Sequence, residues 1–395
     1  MKLKALFFFF AAILLLSIYA CKENNSDTPE PTEKTYPAIA NKFGSTIDIK
    51  NLPNYENQDI PAYITKDNTN GNAITNEGAL LGRVLFYDKL LSTDQSVACA
   101  SCHIQANAFG DTRSASIGVN GTTGRHSMRL INTRFSEETK FFWDERAATL
   151  EQQTTQPIQD HGEMGYSGQN GDPSIMDLIA ILQNTDYYKE LFELAFGDEK
   201  VTEERMQLAL AQFIRSIQSF DSKFDEGRAA APNDGAPFNN FSADENAGKI
   251  LFLAPPQFNG NGVRTGGGAG CAGCHRPPEF DIVPNSGNNG VIGSFAGGTD
   301  LTNTKSPTLR DVVNGSGQLN GMLMHNANFG ALQGVIAHYN AIPADNANLD
   351  NRLRPNGNLQ NLNLTATEKA QLVTFIKTLS GTNVYTDPKW SDPFE

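Results

Sequence analysis

The sequence contains few cysteines and tryptophans and fewer basic than acidic residues, and this composition limits the classes of protein to which the chain can belong. Its 395 residues include five cysteines and two tryptophans, and 31 Lys and Arg stand against 44 Asp and Glu, a formal net charge of −13. A chain this acidic is a poor ligand for nucleic acid, because phosphate binding depends on clustered Lys and Arg. The charge permits a basic protein partner but identifies none.

The N-terminus carries the features of an export signal. Met1-Lys2-Leu3-Lys4 precedes an apolar run from Ala5 to Leu16, and Ser17-Ile18-Tyr19-Ala20 follows it. A charged start, a short apolar segment and a small residue before a cleavage point are typical of a signal peptide, and the run is too short for a good spanning helix. We therefore predict a signal peptide over residues 1–20 and export to the periplasmic side of the cell envelope.

Four of the five cysteines fall in two pentapeptides, Cys99-Ala100-Ser101-Cys102-His103 and Cys271-Ala272-Gly273-Cys274-His275. Each reads Cys-x-x-Cys-His, the attachment signature of c-type haem. On a helical turn, residues at i, i+3 and i+4 share a face, so two thiols can bond one porphyrin while the histidine ligates its iron. Zinc has no use for a histidine after each pair, and a redox dithiol has no use for a second copy. The sequence therefore predicts two covalently bound haem c groups, with His103 and His275 as iron ligands.

The fifth cysteine, Cys21, directly follows the apolar segment. This junction resembles a bacterial lipobox, in which the cysteine is acylated, although Tyr19 is unusual in that box. We expect a lipoprotein held to a membrane through Cys21, and a plain secreted protein is the alternative. Residues 21–70 are expected to form the lipoprotein tether and an N-terminal extension, since they are rich in Asn, Asp, Thr, Pro and Lys. Within them, residues 47–52 alternate like a short strand.

A weak internal repeat surrounds the two haem motifs. Gly82-Arg83-Val84-Leu85-Phe86 precedes the first motif, and Gly248-Lys249-Ile250-Leu251-Phe252 precedes the second. Repeats of this length indicate duplicated domains. Apolar residues at helical spacing predict helices over Ser174–Leu182, Asp186–Phe196, Thr202–Phe220 and Thr365–Leu379. The predicted fold is mostly α, with two cytochrome c-like domains and long ordered loops, the first domain at residues 71–230 and the second at 231–395.

The segment Phe142-Trp143-Asp144-Glu145-Arg146 carries one of the two tryptophans. It resembles the Phe-Trp-Asp-Gly-Arg motif of the bacterial dihaem cytochrome c peroxidase family, including its MauG-like branch, with Glu in place of Gly. The resemblance covers roughly residues 75–380 and implies that Trp143 lies between the haems and relays electrons. A tryptophan that merely fills the domain interface is the alternative.

The same family places Gln, Pro and Glu over its reactive haem, 10, 14 and 20 residues after that tryptophan, and here those positions are Gln153, Pro157 and Glu163. The resemblance implies that Glu163 moves a proton between the peroxide oxygens, a role that suits a carboxyl whose pKa is raised in a poorly solvated pocket. Gln153 would orient peroxide or bound water, and Pro157 would keep the sixth coordination position open.

At the first haem, family members carry a resting-state histidine ligand in a loop that here reads Ser116-Ile117-Gly118-Val119. Valine cannot bind iron, so we expect this haem to be open to peroxide without prior reduction. His126 is the nearest alternative ligand. It stands where the family usually has Asn, and the calcium ion that the family binds between its domains is therefore doubtful here.

At the second haem, the family marker is matched by Met324-His325-Asn326-Ala327, and fourteen residues after His325 stands Tyr339. The resemblance implies that Tyr339 is the distal iron ligand, as in the MauG branch, where classical peroxidases have methionine. A phenolate favours ferric and higher oxidation states. The rival ligands are His338 and either Met322 or Met324, and His161 is expected at the surface near the first pocket.

These expectations combine into one predicted activity. The first haem would reduce hydrogen peroxide to water, with electrons that a small donor protein, a cytochrome c or a cupredoxin, delivers through the second haem. Two alternatives stay open: a MauG-like oxidase or maturase of a protein substrate, which Tyr339 favours, and a non-catalytic electron-transfer cytochrome. The oligomeric state, including a homodimer, stays open as well.

Overall fold

Helices joined by long loops make up most of the structure, which confirms the predicted mostly α fold. The computed structural model describes residues 34–395. In this range lie eleven α-helices: α1 Pro37–Phe43, α2 Asn76–Tyr87, α3 Cys99–Cys102, α4 Leu150–Thr154, α5 Ile175–Gln183, α6 Asp186–Phe196, α7 Glu203–Ser216, α8 Lys223–Ala230, α9 Ala243–Leu253, α10 Leu332–Asn340 and α11 Ala366–Lys377. Six short strands pair as three antiparallel hairpins: β1 Ile117–Gly118 with β2 Gly121–Thr122, β3 Pro256–Phe258 with β4 Arg264–Gly267, and β5 His275–Arg276 with β6 Asp281–Ile282.

Only part of the predicted N-terminal region lies within the described residues. The signal peptide, Cys21 and the start of the tether lie outside the described residues, and none of the helices between residues 34 and 395 has the length and apolar character to cross a membrane. The strand expected at residues 47–52 is wrong. The Asp48 carboxylate accepts hydrogen bonds from the Lys50 N–H at 3.0 Å and the Asn51 amide at 2.8 Å, and this turn bends the chain.

The buried apolar residues form two large clusters within the compact unit Tyr36–Glu395. The first draws on residues from Ile39 to Ile217, and the second on residues from Phe224 to Leu379. The C-terminal segment returns to the first cluster, where Trp390 is buried and its Nε1–H donates to the Ser216 hydroxyl at 3.2 Å. The division at residues 230 and 231 stays a prediction.

The same helix crossing supports each cluster, and glycine makes both crossings possible. A Cβ atom on Gly82 of α2 would lie 2.0 Å from the Ala209 carbonyl oxygen of α7, and a Cβ on Gly248 of α9 would lie 2.0 Å from the Gln371 carbonyl oxygen of α11. Only a residue without a side chain allows these backbones to approach so closely. The internal repeat in the sequence is therefore a repeated pair of crossed helices.

One helix is shorter than its apolar pattern predicts. The helix expected over Thr202–Phe220 ends at Ser216. The next residues instead hydrogen-bond to Asn132, whose N–H donates to the Ile217 carbonyl at 2.9 Å and whose side-chain oxygen accepts the Ser219 N–H at 2.7 Å. These distant contacts end the helix and tie α7 to the loop that follows the first haem motif.

Candidate functional site: two haem cavities

The first Cys-x-x-Cys-His motif forms the single turn α3 and lines a cavity of about 440 Å³. Cys99 and Cys102 form no disulfide, and burial raises the pKa of Cys99 to about 12 and that of Cys102 to about 11. The His103 Nδ1–H donates to the Phe109 carbonyl at 3.1 Å, which orients the imidazole as second-sphere carbonyls do at metal sites.

The second motif repeats this arrangement at a larger cavity of about 610 Å³. Cys271 and Cys274 line it without forming a disulfide, and burial raises their pKa values to about 12 and about 11. The His275 Nδ1–H donates to the Phe280 carbonyl at 3.2 Å. Burial also lowers the pKa of His275 to about 4, so the imidazole is neutral, the form that binds metal.

The chemistry of each cavity fits a covalently attached haem. Each offers two unpaired thiols one turn apart, an oriented imidazole and a mostly apolar lining. Arg129 and Lys305 line both cavities. The Arg129 Nε has no hydrogen-bond partner within residues 34–395, and the Lys305 ammonium donates to the Glu138 carbonyl at 2.6 Å. Cations that lack a carboxylate partner suit the carboxylate side chains of a porphyrin.

Trp143 lies in the wall that the two cavities share. Its side chain lines both cavities and is 8% exposed. The indole Nε1–H donates to the His126 carbonyl at 2.7 Å, and the Trp143 carbonyl accepts the N–H groups of Thr304 at 2.9 Å and Lys305 at 3.0 Å. Segments from both predicted domains therefore hold this side chain in place.

Two turns of the same shape meet at this wall, Phe141–Ala147 and Leu323–Phe329, each closed by an antiparallel bridge between its end residues. Each has left-handed residues at its second and fifth positions: Phe142 (φ 70°), Glu145 (φ 54°), Met324 (φ 69°) and Ala327 (φ 53°). Glu145 thus adopts the conformation that glycine takes at lower cost, at the position where the family motif has Gly. Trp143 and His325 occupy the same position in the two turns.

Pro157 and Tyr339 follow these turns at the same distance along the chain, but Pro157 lies in the turn beyond α4 and Tyr339 lies within α10. α4 begins three residues after the first turn and α10 begins three residues after the second. Counted from these starts, Pro157 and Tyr339 share one position, and they line the first and second cavity respectively. One cavity therefore presents a side chain without a donor atom where the other presents a phenol.

Gln153, Pro157 and Glu163, the three residues that the resemblance singles out, all line the first cavity. Desolvation, helped by the nearby Asp160 carboxylate and partly opposed by Arg146, raises the pKa of Glu163 to about 7. At neutral pH this carboxyl is therefore close to half-protonated, a state from which it can both accept and donate a proton.

The loop that carries the family's histidine packs against the Glu163 segment. The Val119 N–H donates to the Glu163 carbonyl at 3.0 Å, and Val119 is absent from the cavity lining. His126 lines both cavities and is 6% exposed. Its Nδ1–H donates to the Ser114 carbonyl at 3.2 Å, and its backbone N–H donates to the His325 carbonyl at 2.7 Å.

Of the candidate distal ligands at the second cavity, Tyr339, Met322 and Met324 line it, whereas His338 is absent from the lining. The His338 Nε2–H donates to the Asn289 carbonyl at 2.8 Å. Burial raises the pKa of Tyr339, and a hydrogen bond from the Asn289 side chain opposes that shift. His161 is exposed and contacts Asp172, with Nδ1 and the carboxylate oxygen 2.6 Å apart.

Sequence reasoning missed Glu279, which lines the first cavity although it follows the second haem motif. The Asn132 amide donates to its Oε2 at 3.0 Å, and its Oε1 has no partner in the described part of the chain. Burial raises the pKa of Glu279 to about 8 despite the nearby Arg310. No local pattern marks this residue, because only the folded loop carries it across to the other motif's cavity.

The chain is similar to several known proteins. The model of the family described as di-haem cytochrome c peroxidase matches residues 76–231. The methylamine utilization protein MauG of Methylorubrum extorquens is 30% identical over 320 residues, 78% of this chain and 79% of that protein. The cytochrome c551 peroxidase of Nitrosomonas europaea is 27% identical over 329 residues, 78% of this chain and 82% of that protein. The crystal structure of a MauG-like protein associated with microbial copper homeostasis superposes with a TM-score of 0.66 at 27% identity, covering 86% of this chain and 99% of that one.

Proposed function

Since the chain belongs to the di-haem cytochrome c peroxidase family, we propose that it reduces hydrogen peroxide to water at the first cavity with electrons that enter through the second. Members of this family hold two covalently bound haem c groups, and this chain does so through Cys99, Cys102, Cys271 and Cys274. The observation that carries the proposal is the difference between the linings of the two cavities. Pro157 leaves the first cavity open beside Glu163, whereas Tyr339 offers an oxygen ligand in the second.

The residues of the first cavity suit the proton transfers of peroxide reduction. When bound, the first haem supplies the iron at which peroxide is reduced. The Glu163 carboxylate takes the proton from the near peroxide oxygen and returns it to the far oxygen, which leaves as water. Gln153 orients the peroxide with its amide. Pro157 has no group that could block the iron. The complete reaction consumes two electrons and two protons per peroxide and yields two waters.

Trp143 is proposed as the electron relay between the cavities, because its indole lines both. An oxidisable ring in the shared wall divides one long electron jump into two short ones. Tyr339, as an anionic oxygen ligand, would lower the reduction potential of the second haem relative to a methionine ligand. We place the protein on the periplasmic side of the cell envelope, anchored through Cys21 and served by a small donor cytochrome c or cupredoxin.

A MauG-like oxidase of a protein substrate is the second candidate function. Tyr339 supports it, since an oxygen ligand favours the high oxidation states that such an oxidation uses. A purely electron-transferring cytochrome fits less well, because Gln153 and Glu163 equip the first cavity for proton transfer. Turnover with a donor cytochrome and oxidation of a protein substrate are separable by direct assay.

Electron paramagnetic resonance of the ferric holoprotein tests the proposal. We expect one high-spin signal, from the first haem, and one low-spin signal, from the second. Tyr339→Met should alter the low-spin signal alone, and Glu163→Gln should leave both ferric signals in place while slowing the reaction with peroxide. Two low-spin signals, together with no optical change on adding peroxide, would refute the proposed peroxidase.

A further inference from the structure

Asp88 is a buried carboxylate whose side-chain hydrogen bonds come mainly from two tyrosines. It follows α2 and is 6% exposed. Its Oδ2 accepts the hydroxyls of Tyr187 at 2.8 Å and Tyr188 at 2.9 Å, and its Oδ1 accepts the Leu90 N–H at 2.9 Å. No Lys, Arg or His within residues 34–395 forms an ion pair with it. A buried carboxylate without a counter-ion depends on such hydrogen bonds to offset its loss of hydration.

The two tyrosines connect the first core to the surface. Their ring centroids are 4.7 Å apart, with the ring planes tilted by 37°. Tyr188 is fully buried in the first cluster, and Cys99 of the first haem motif packs against that cluster. Tyr187 is half-buried, with the Lys42 ammonium 5.6 Å from its ring centroid and the Phe43 ring 5.5 Å away.

The contacts with Asp88 determine where the phenol proton goes when either tyrosine is oxidised. Burial and the Asp88 charge raise the pKa of both phenols, so both keep their protons at neutral pH. A phenol that loses an electron becomes strongly acidic, and the Asp88 Oδ2 is already its hydrogen-bond acceptor. A tyrosine and a carboxylate then become a neutral tyrosyl radical and a carboxylic acid, and one electron leaves. The proton stays within the cluster, so no isolated positive charge is left in the core.

We propose that Tyr188, Tyr187 and Asp88 form a second oxidation route, which leads from the first cavity to a small phenolic reductant at the surface. The route rests on the proposed function, because peroxide reduced in the first cavity is its oxidant. Tyr188 gives an electron to the first haem site and its proton to Asp88. Tyr187 then gives an electron to Tyr188, and Tyr188 recovers its proton from Asp88. The oxidised Tyr187 passes its own proton to the same carboxylate. The external phenol restores Tyr187 with one electron and releases its own proton to water, while Asp88 returns the held proton. Two phenols are consumed per peroxide.

The chain offers a matched control in Tyr63. Its hydroxyl donates to the Asp225 Oδ1 at 2.7 Å, so it too is a phenol bonded to a buried carboxylate. The Arg310 guanidinium, however, contacts that carboxylate at 2.8 Å and balances its charge. The Tyr63–Asp225 pair therefore differs from the Asp88 cluster in its charge balance, and Tyr63 is expected to stay unoxidised.

The experiment mixes the ferric holoprotein with hydrogen peroxide in the absence of a donor and follows it by freeze-quench electron paramagnetic resonance. Ring-deuterated tyrosine identifies a tyrosyl radical through the narrowing of its signal. We expect the radical in the wild-type protein and in Tyr63→Phe, and at least a tenfold loss of the signal in the Tyr187→Phe/Tyr188→Phe double variant. Circular dichroism confirms that the variants are folded. A signal that persists in the double variant, or is absent from a wild-type protein that consumes peroxide, overturns the route but leaves the peroxidase proposal intact.

A second readout compares two electron sources. Oxidation of a small phenol should fall at least fivefold in Tyr187→Phe, whereas oxidation of a donor cytochrome should not change. Trp143→Phe should show the opposite pattern, because the donor's electrons enter through the second haem. Equal losses of both activities in Tyr187→Phe overturn the route. A protein that does not react with peroxide at all overturns the proposed function itself.

Discussion

The indole of Trp143 and the imidazole of His325 meet edge to face, with ring centroids 6.2 Å apart and planes at 65°. They occupy the same position in two turns of the same shape, one from each half of the internal repeat. The His325 Nε2–H donates to the Gly293 carbonyl at 2.9 Å, and the Trp143 Nε1–H donates to the His126 carbonyl at 2.7 Å. The fold thus brings two turns of the same shape together, and only the first of them carries a readily oxidised ring.

The first prediction concerns electron transfer through this wall. Trp143→Phe keeps an aromatic ring in place but removes the oxidisable indole and its hydrogen bond. Oxidation of the second haem after peroxide addition should slow about tenfold or more, equivalent to about 1.4 kcal/mol of barrier. Stopped-flow spectroscopy of the holoprotein measures this step. Trp390→Phe, which removes a comparable Nε1–H contact to Ser216 far from both cavities, should leave the rate unchanged.

The second prediction concerns Glu163 and pH. Since desolvation raises its pKa to about 7, the carboxylate that accepts the peroxide proton forms as the pH rises through 7. The rate constant for peroxide should therefore increase from pH 6 to pH 8 and level off above. Glu163→Gln should abolish this rise and slow the reaction about 10²- to 10⁴-fold. Glu199→Gln, at an exposed position, serves as the control, and a rise that survives in Glu163→Gln would contradict the assignment.

The third prediction concerns the stability cost of Glu279. Burial raises its folded-state pKa to about 8, so the folded protein holds a proton that the unfolded chain releases near its ordinary pKa. Stability is then lost as the pH rises from the ordinary value to about 8. Relative to wild type, Glu279→Gln should gain up to about 1.4 kcal/mol per pH unit over that range and nothing further above it. Denaturant unfolding of the holoprotein at several pH values measures the difference, and a pH-independent difference would contradict the raised pKa.

The fourth prediction concerns the repeated helix crossing. Alanine at Gly82 places a methyl group 2.0 Å from the Ala209 carbonyl oxygen, and α2 and α7 must separate to relieve the clash. Gly82→Ala should lower the free energy of unfolding by about 2 kcal/mol or more, although alanine favours a helix. Gly315→Ala is the matched control, because nothing lies within 4 Å of its added Cβ. Equal melting temperatures for the two variants would contradict the crossing.

Distance along the chain explains which of the expected residues line the same cavity. Gln153, Pro157 and Glu163 reach one cavity because they follow Trp143 on a single continuous segment. Each haem motif forms a single helical turn, as the spacing of its two cysteines and its histidine predicts. The expected strand at residues 47–52 failed for a local reason, since the side-chain hydrogen bonds of Asp48 outweigh the apolar alternation.

By itself, the sequence predicted the two haem attachment motifs, the repeated segments that carry Gly82 and Gly248, and the segment from Gln153 to Glu163 that lines the first cavity. These features depend on residues within a few turns of one another. Only the tertiary structure decided that Arg129 and Lys305 face both cavities, that Glu279 crosses to the first cavity, and that Asp88 receives two phenols. Those contacts join segments far apart in the chain. Burial raises the pKa of Glu279 and of the two phenols, and these groups are buried only once both clusters are packed.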